Sequence, residues 1–394
     1  MAKLYNLIFS LLMVGATATP VASNQPTSNR WIVSLKTESS SGLQHHVKRV
    51  TELHASNLQR RREATSGIEV TFEFPGFAGY AGSFDDETLE ALKADPDVTA
   101  IEEDKKVYLS ALTTQNNPPW GLSAISHADP PLVNASYIYD ASAGEGTFSY
   151  VLDSGLFAQH NDFEGRAVLA YDATGGEKTD HSHGTHVAGI IGGKTYGVAK
   201  KTSLLGVQVT GTEIGQLSWI LDALSWTSND VLSKGRVGKS IINMSITTTS
   251  STIVNEAVKS IIDSGIPVIV AAGNSNADAA DYSPANLPEA ITVAASNRNF
   301  RRWSASNWGS TVDLFAPGQD IPSTWVGSAN EVYTTSGTSM ASPYVAGVAA
   351  YLLGLEGSKS PAALKARILD LASTNLISDA KEVPNLLVYN GNGA

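Results

Sequence analysis

Between residues 148 and 296, five short apolar runs alternate with helix-like stretches, and no other feature of the chain restricts its fold as much. The runs are FSYVLDSG, TSLLGVQV, KSIINMSI, IPVIVAAGN and AITVAAS; QLSWILDALSWTSNDVL and STIVNEAVKSIIDSG lie among them. A strand that is apolar throughout needs cover on both faces, so apolar strands joined by helices indicate a mostly parallel sheet with helices on each side. That is a doubly wound α/β architecture, in which ligands bind beyond the carboxyl ends of the strands. Asp153 ends the first run and Asn274 the fourth, which puts a carboxylate and an amide on one rim.

Upstream, residues from about 30 to 109 read as a separate, smaller α+β unit. Strand-like RWIVSL, IEVTFEF, FAGYAGSF and VTAIEEDKKVYL alternate with two helical stretches in the order βαββαβ, which is ferredoxin-like. The Pro-, Asn- and Ser-rich segment SALTTQNNPPWGLSAISHADPP reads as a linker between the units. At the start, Lys3 precedes LYNLIFSLLMVGATA, which ends in small residues with Ala16-Thr17-Ala18 as an A-x-A site. Residues 1–18 therefore read as a signal peptide, and the protein as secreted and extracellular. The run is shorter than the roughly 20 apolar residues a spanning helix needs, and no membrane attachment is expected.

A net charge of −11 argues against nucleic acid, which needs a basic footprint. The absence of cysteine excludes disulfides and thiolate zinc sites. Asn134-Ala135-Ser136 is a glycosylation signal in a loop-like segment, whereas Asn243-Met244-Ser245 continues a strand and should be buried and unmodified.

Three of the eight histidines, His181, His183 and His186, fall in TDHSHGTHVAGIIGG. Their spacing does not match H-E-x-x-H and no glutamate lies among them, which disfavours a zinc site. Ser339 lies in TTSGTSMASPYVAGVAAYLLG, just before an Ala- and Gly-rich helix whose first turn should hold Pro343. A serine there is either an N-cap or a nucleophile beside the positive end of a helix. As a nucleophile it needs a base, and the base needs a carboxylate behind it. Asp153, His183 and Ser339 supply the three groups.

The chain resembles the subtilases, in particular the proteinase K-like branch with its fungal alkaline serine proteases. VLDSG, HGTHVAGIIGG, YGVAKK, VAAGNSNADAADYSPA, DLFAPG and SGTSMASP carry the likeness, in family order over about 116–394. The resemblance implies a serine endopeptidase, in which Asp153 orients His183, His183 activates Ser339 and Asn274 stabilises the oxyanion. It makes His186 structural and His181 incidental. It also implies an inhibitor-type propeptide over 19–110, a peptidase domain over 111–394 and self-cleavage near Ser110-Ala111. Substrates would be proteins or peptides, the propeptide an intramolecular inhibitor, and the enzyme a monomer.

By the same resemblance, Ser245, Ile246, Thr247, Ala271, Ala272, Gly273 and Tyr282 line the substrate cleft. The Pro288 and Ala290 carbonyls and Asp313 would hold a structural Ca²⁺. The sequence departs from the family at Ser182, usually glycine; at Tyr344, usually histidine; at Ser245-Ile246-Thr247-Thr248; and at Glu213-Ile214-Gly215. A β-branched Thr247 and a charged Glu213 should reshape the subsites, with tolerance for basic residues beside an aromatic or apolar P1. A catalytically silent, peptide-binding relative is the alternative that the same residues allow.

Overall fold

The computed structural model describes residues 30–36, 40–61, 65–104, 112–129, 135–211 and 215–392. The signal segment, the Ser110-Ala111 junction, Asn134 and Glu213 lie outside them. Two compact units divide at Leu109 and Ser110.

The smaller unit comprises β1 (Arg30–Leu35), α1 (Ser40–Arg61), β2 (Gly67–Phe74), β3 (Phe77–Ser83), α2 (Asp86–Lys93) and β4 (Val98–Glu103). Its antiparallel sheet runs β2-β3-β1-β4, the ferredoxin-like order. Pro75-Gly76 turns β2 into β3, with Gly76 at φ +83°. Asp85 caps α2 by accepting the Thr88 N–H at 2.9 Å, and Asp86 and Glu87 complement the helix start. Val33, Leu43, Val50, Tyr80, Phe84 and Leu92 close the core between helices and sheet.

The larger unit opens with β5 (Leu112–Gln115), α3 (Trp120–Ala124) and β6 (Tyr137–Asp140), the two strands pairing antiparallel. It continues through β7 (Phe148–Asp153), β8 (Ala167–Asp172), α4 (Ser182–Gly192), β9 (Ser203–Gln208), α5 (Leu217–Ser233) and β10 (Ser240–Met244). Then follow β11 (Thr248–Thr249), α6 (Thr252–Asp263), β12 (Val268–Ala271), β13 (Tyr282–Ser283), β14 (Ile291–Ser296) and β15 (Leu314–Pro317). The hairpin β16 (Ile321–Thr324) and β17 (Val332–Thr335) leads into α7 (Thr338–Glu356), α8 (Pro361–Leu371), β18 (Ser373–Thr374) and β19 (Leu386–Leu387).

A nine-stranded sheet of order β18-β19-β15-β14-β12-β10-β7-β9-β8 forms the centre, parallel except for β18 at its edge. Side chains alternate across it. Val151, Ile241 and Ile269 pack with the buried faces of α4 and α7. Tyr150, Leu152, Ile242 and Val270 pack with α5 and α6 on the other side. Each fully buried aliphatic side chain contributes about 1.5–3 kcal/mol, so the doubled layer supplies the stability that disulfides do not. With the parallel strands aligned, the ends of β7 and β12 share one rim, where the chemistry gathers.

Candidate active site

Asp153 is the last residue of β7 and is 1% exposed. Its Oδ1 accepts the Ser154 N–H and the His183 Nδ1–H, both at 2.7 Å. Helix α4 reaches this rim because residue 184 is glycine. A Cβ there would stand 2.0 Å from the Gly155 carbonyl oxygen, so any side chain would push the helix away. The Gly184 N–H in turn donates to Ser154 Oγ at 3.1 Å.

The Asp153 bond fixes one tautomer of His183 and leaves Nε2 to accept a proton, with the side chain 39% exposed. Burial lowers the imidazole pKa, but the charge of Asp153 and its hydrogen bond outweigh burial and hold it above the ordinary value. His181 is not incidental, as the resemblance implied. It adopts φ +58° at the N-cap of α4, and its carbonyl accepts from Thr185 N–H and Oγ1 at 3.0 and 2.6 Å. Its Nδ1 lies 2.9 Å from the Ser154 carbonyl, so it clamps the turn before His183. Ser182 begins the helix and donates its N–H to Asp180 Oδ1 at 2.9 Å.

His186 is fully buried and donates Nε2–H to the Ile321 and Tyr333 carbonyls at 3.1 and 3.0 Å. Burial pushes its pKa down to about 4. The unfolded chain takes up this proton near pH 6.5 and the folded chain only near 4. The resulting stability is therefore full above pH 6.5 and lost as pH falls toward 4, about 3 kcal/mol in all. The melting temperature of the larger unit should fall across that window, and His186→Gln should flatten the fall. An unchanged slope in that variant would refute the assignment.

Helix α7 starts at Thr338 behind Gly337, and Ser339 does not cap it. Pro343 lies beyond the first turn, contrary to the sequence expectation. The reason is a tertiary contact. Proline lacks the N–H that would bond the Ser339 carbonyl four residues back, and Ser245 Oγ donates to that carbonyl instead at 2.9 Å. Asn243 Nδ2 supports Ser245 Oγ from behind at 2.9 Å, and Asn243, fully buried, stays within the core. The Ser339 hydroxyl donates to the Ser245 carbonyl at 3.2 Å; among the described residues no hydrogen bond joins it to His183.

Asn274 is exposed just beyond β12. Its Oδ1 accepts from Thr338 N–H and Thr338 Oγ1 at 2.9 and 2.8 Å, which turns Nδ2 the other way, toward Gly337. Thr338 Oγ1 also accepts the Gly273 N–H at 3.1 Å. Two residues that no motif singles out thus set this corner: Thr338 and Asn307. Asn307 is fully buried, its Oδ1 accepts from Ser275 and Ala277 N–H at 2.8 and 3.1 Å, and its Nδ2 donates to the Ala272 carbonyl. Thr338 lies inside SGTSMASP, where the serine beside it draws the functional reading, and Asn307 lies in none of the quoted motifs.

The segments 245–247 and 271–273 lie at the carboxyl ends of the neighbouring parallel strands β10 and β12. Thr247 is exposed, and its Oγ1 stands 3.8 Å from where a Cβ on Gly273 would be. Gly273, at φ +105° with Asn307 Nδ2 against it, admits no side chain. Ala271 and Ala272 are buried, Ile246 is half-buried against the α5–α6 core, and Tyr282 packs at the edge of a third cluster. Ser245 is buried and its side chain serves α7, not an open cleft. Tyr344 is fully buried too; a Cβ at Gly121 would stand 2.2 Å from its hydroxyl, so glycine makes room for the ring.

The calcium expectation does not fit. The Pro288 and Ala290 carbonyls and Asp313 Oδ1 do converge, but on Lys365 Nζ, at 2.8, 2.7 and 2.8 Å. These are ammonium–oxygen distances, and Ca²⁺ would need the same point plus further oxygens.

The chain matches the subtilase family over residues 144–393 and the peptidase inhibitor I9 domain over residues 30–110. It is 48% identical to alkaline protease 1 of Aspergillus clavatus over 395 residues, covering 98% of each chain. It is 44% identical to the alkaline proteinase of Hapsidospora chrysogena over 397 residues, covering 96% of this chain and 97% of the other. In structure it is similar to a cold adapted subtilisin-like serine proteinase, with 40% identity and a TM-score of 0.65 over 70% of this chain and 98% of that one. With the subtilase match spanning more than half its length, the chain belongs to the subtilase family of serine peptidases and carries an inhibitor I9 domain ahead of the peptidase unit.

Proposed function

We propose that the protein is a secreted serine endopeptidase, made as a self-processing precursor, whose catalytic groups are Asp153, His183 and Ser339. The observation that carries this reading is the 2.7 Å bond from His183 Nδ1 to the buried Asp153, on the rim that also bears Ser339. Ser339 Oγ attacks the scissile carbonyl carbon as His183 Nε2 takes its proton. The imidazolium, stabilised by Asp153, then protonates the leaving amine. Water, deprotonated by the same nitrogen, attacks the acyl carbonyl, and His183 returns that proton to Ser339 Oγ as the ester bond breaks and the carboxylate product leaves. The resting hydrogen bond of Ser339 to Ser245 gives way as substrate docks, since catalytic hydrogen bonds often tighten only in the Michaelis complex.

The oxyanion is received by Asn274 Nδ2 and by the Ser339 backbone N–H at the start of α7. Thr338 holds Asn274 in the productive orientation through its two bonds to Oδ1. Asn274→Ala should lower kcat by about 10²–10³-fold, the scale subtilisin sets for such a donor, with KM little changed. An unchanged kcat would remove Asn274 from the mechanism. Substrate pairs as an added strand with the segment 245–248, and an aromatic or apolar P1 side chain lies against Ala271, Ala272 and Gly273, with Tyr282 toward the pocket base.

The precursor divides into a signal peptide (1–18), a propeptide (19–110) and the peptidase (111–394), glycosylated at Asn134 and active as a monomer. Pairing nine strands across long sequence separations is slow, which gives the I9 domain a folding role besides inhibition. Hydrolysis of a peptide anilide with aromatic P1, blocked by a sulfonyl fluoride, tests the activity. A folded, processed protein that binds the peptide but never cleaves it would leave only peptide binding.

A further inference from the structure

Lys365 lies in the second turn of α8, next to the buried Leu364, so its stem is anchored where the helix meets the core. Its ammonium has three hydrogens and meets three acceptors: the Pro288 carbonyl, the Ala290 carbonyl and Asp313 Oδ1. The pair is largely enclosed, with side-chain exposure of 19% for Lys365 and 17% for Asp313. The remaining Asp313 oxygen is also engaged, accepting the Thr292 N–H at 2.8 Å. Glu289, between the two residues whose carbonyls accept, turns to Lys259 at 3.7 Å and adds nothing to the cradle.

We propose that Lys365 is the resident cation of this cradle, and that the chain holds the segment entering β14 with its own ammonium where its relatives would use a divalent metal. Charge decides between the two. One ammonium and one carboxylate balance. Ca²⁺ with the same carboxylate leaves an excess charge, takes six to eight oxygens where the cradle supplies three, and would have to displace a lysine tethered beside it. Asp313 itself depends on this partner: burial raises its pKa, and Lys365 and the Thr292 N–H work against that rise. The cradle joins α8 to the entry of β14 and the start of β15.

The test uses the full chain carrying Ser339→Ala, which removes self-digestion, and reads the melting temperature of the larger unit in EDTA and in millimolar calcium. The parent and its Asp313→Asn variant should show the same calcium-minus-EDTA shift, because no metal sits on Asp313 to be lost. Lys365→Met should melt about 5 °C lower than the parent in EDTA, as expected when an enclosed carboxylate loses the cation paired with it. Lys365→Ser, which empties the cradle and leaves room for water, should gain a larger calcium shift than the parent. A calcium shift in the parent that Asp313→Asn abolishes would overturn the proposal, as would a parental melting temperature for Lys365→Met. Should either lysine variant fail to fold, the comparison of parent with Asp313→Asn still decides, and calorimetric titration of calcium into that pair measures the same difference directly.

Discussion

Ser339→Ala should lower peptide hydrolysis by about 10⁶-fold, the scale subtilisin itself sets for its triad serine, and should leave the precursor uncut. Both effects follow from one atom. In the proposed mechanism Ser339 Oγ forms the acyl bond; its neighbour Thr338 is committed to Asn274 and to the Gly273 N–H. The fold should survive, because the bond lost is a single 3.2 Å contact to the Ser245 carbonyl, while the anchor at the Ser339 carbonyl remains. Helix α7, buried from Thr338 to Leu353 and packed by Val345, Val348 and Leu352, does not depend on that hydroxyl. The assay is gel analysis of the purified chain together with turnover of a peptide anilide. Normal processing of purified Ser339→Ala would contradict autocatalysis even if turnover were lost.

Asp153→Asn should cost about 10⁴-fold in kcat and shift the pH profile as well. The general base works only when neutral, so activity rises with pH through the His183 pKa. Burial lowers that pKa, but the charge and the hydrogen bond of Asp153 raise it further than burial lowers it, so the acid limb lies above the ordinary imidazole range. Asparagine removes the charge, and burial then prevails. The residual activity should therefore reach its plateau at lower pH than the parent's. In stability the sign is opposite to that of His186. A raised folded pKa stabilises the acid side, present below pH 6.5 and lost as pH rises through the folded value. A pH–rate profile of the variant with the parent's acid limb would show that Asp153 does not tune His183.

The parallel sheet is legible in the sequence because β7, β9, β10, β12 and β14 are buried along nearly their whole length, so each reads as a continuous apolar run. Strand β8 is not, since this edge strand is largely half-buried or exposed and carries no clear period. Strand β15, only four residues ending in Pro317, is too short to show a pattern of its own. Pro343 misleads for a related reason. Its usual place is the first turn, and what makes it tolerable deeper in α7 is Ser245, 94 residues from Ser339 in sequence. Thr338 and Asn307 act through contacts 64 and 32 residues distant, which no local spacing announces. Lys365 is the sharpest instance: the acceptors are legible by resemblance, but the cation that fills them comes from a helix 75 and 77 residues further along. Local chemistry names candidate groups, while the topology decides what each of them meets.

Mass spectrometry of the processed enzyme after treatment with a peptidyl phosphonate tests whether Ser339 is a nucleophile activated by His183 and Asp153. One adduct per chain is expected, on Ser339, forming faster as pH rises through the His183 pKa and failing to form in His183→Ala. An active enzyme that remains unmodified at Ser339, or is labelled elsewhere, would contradict it.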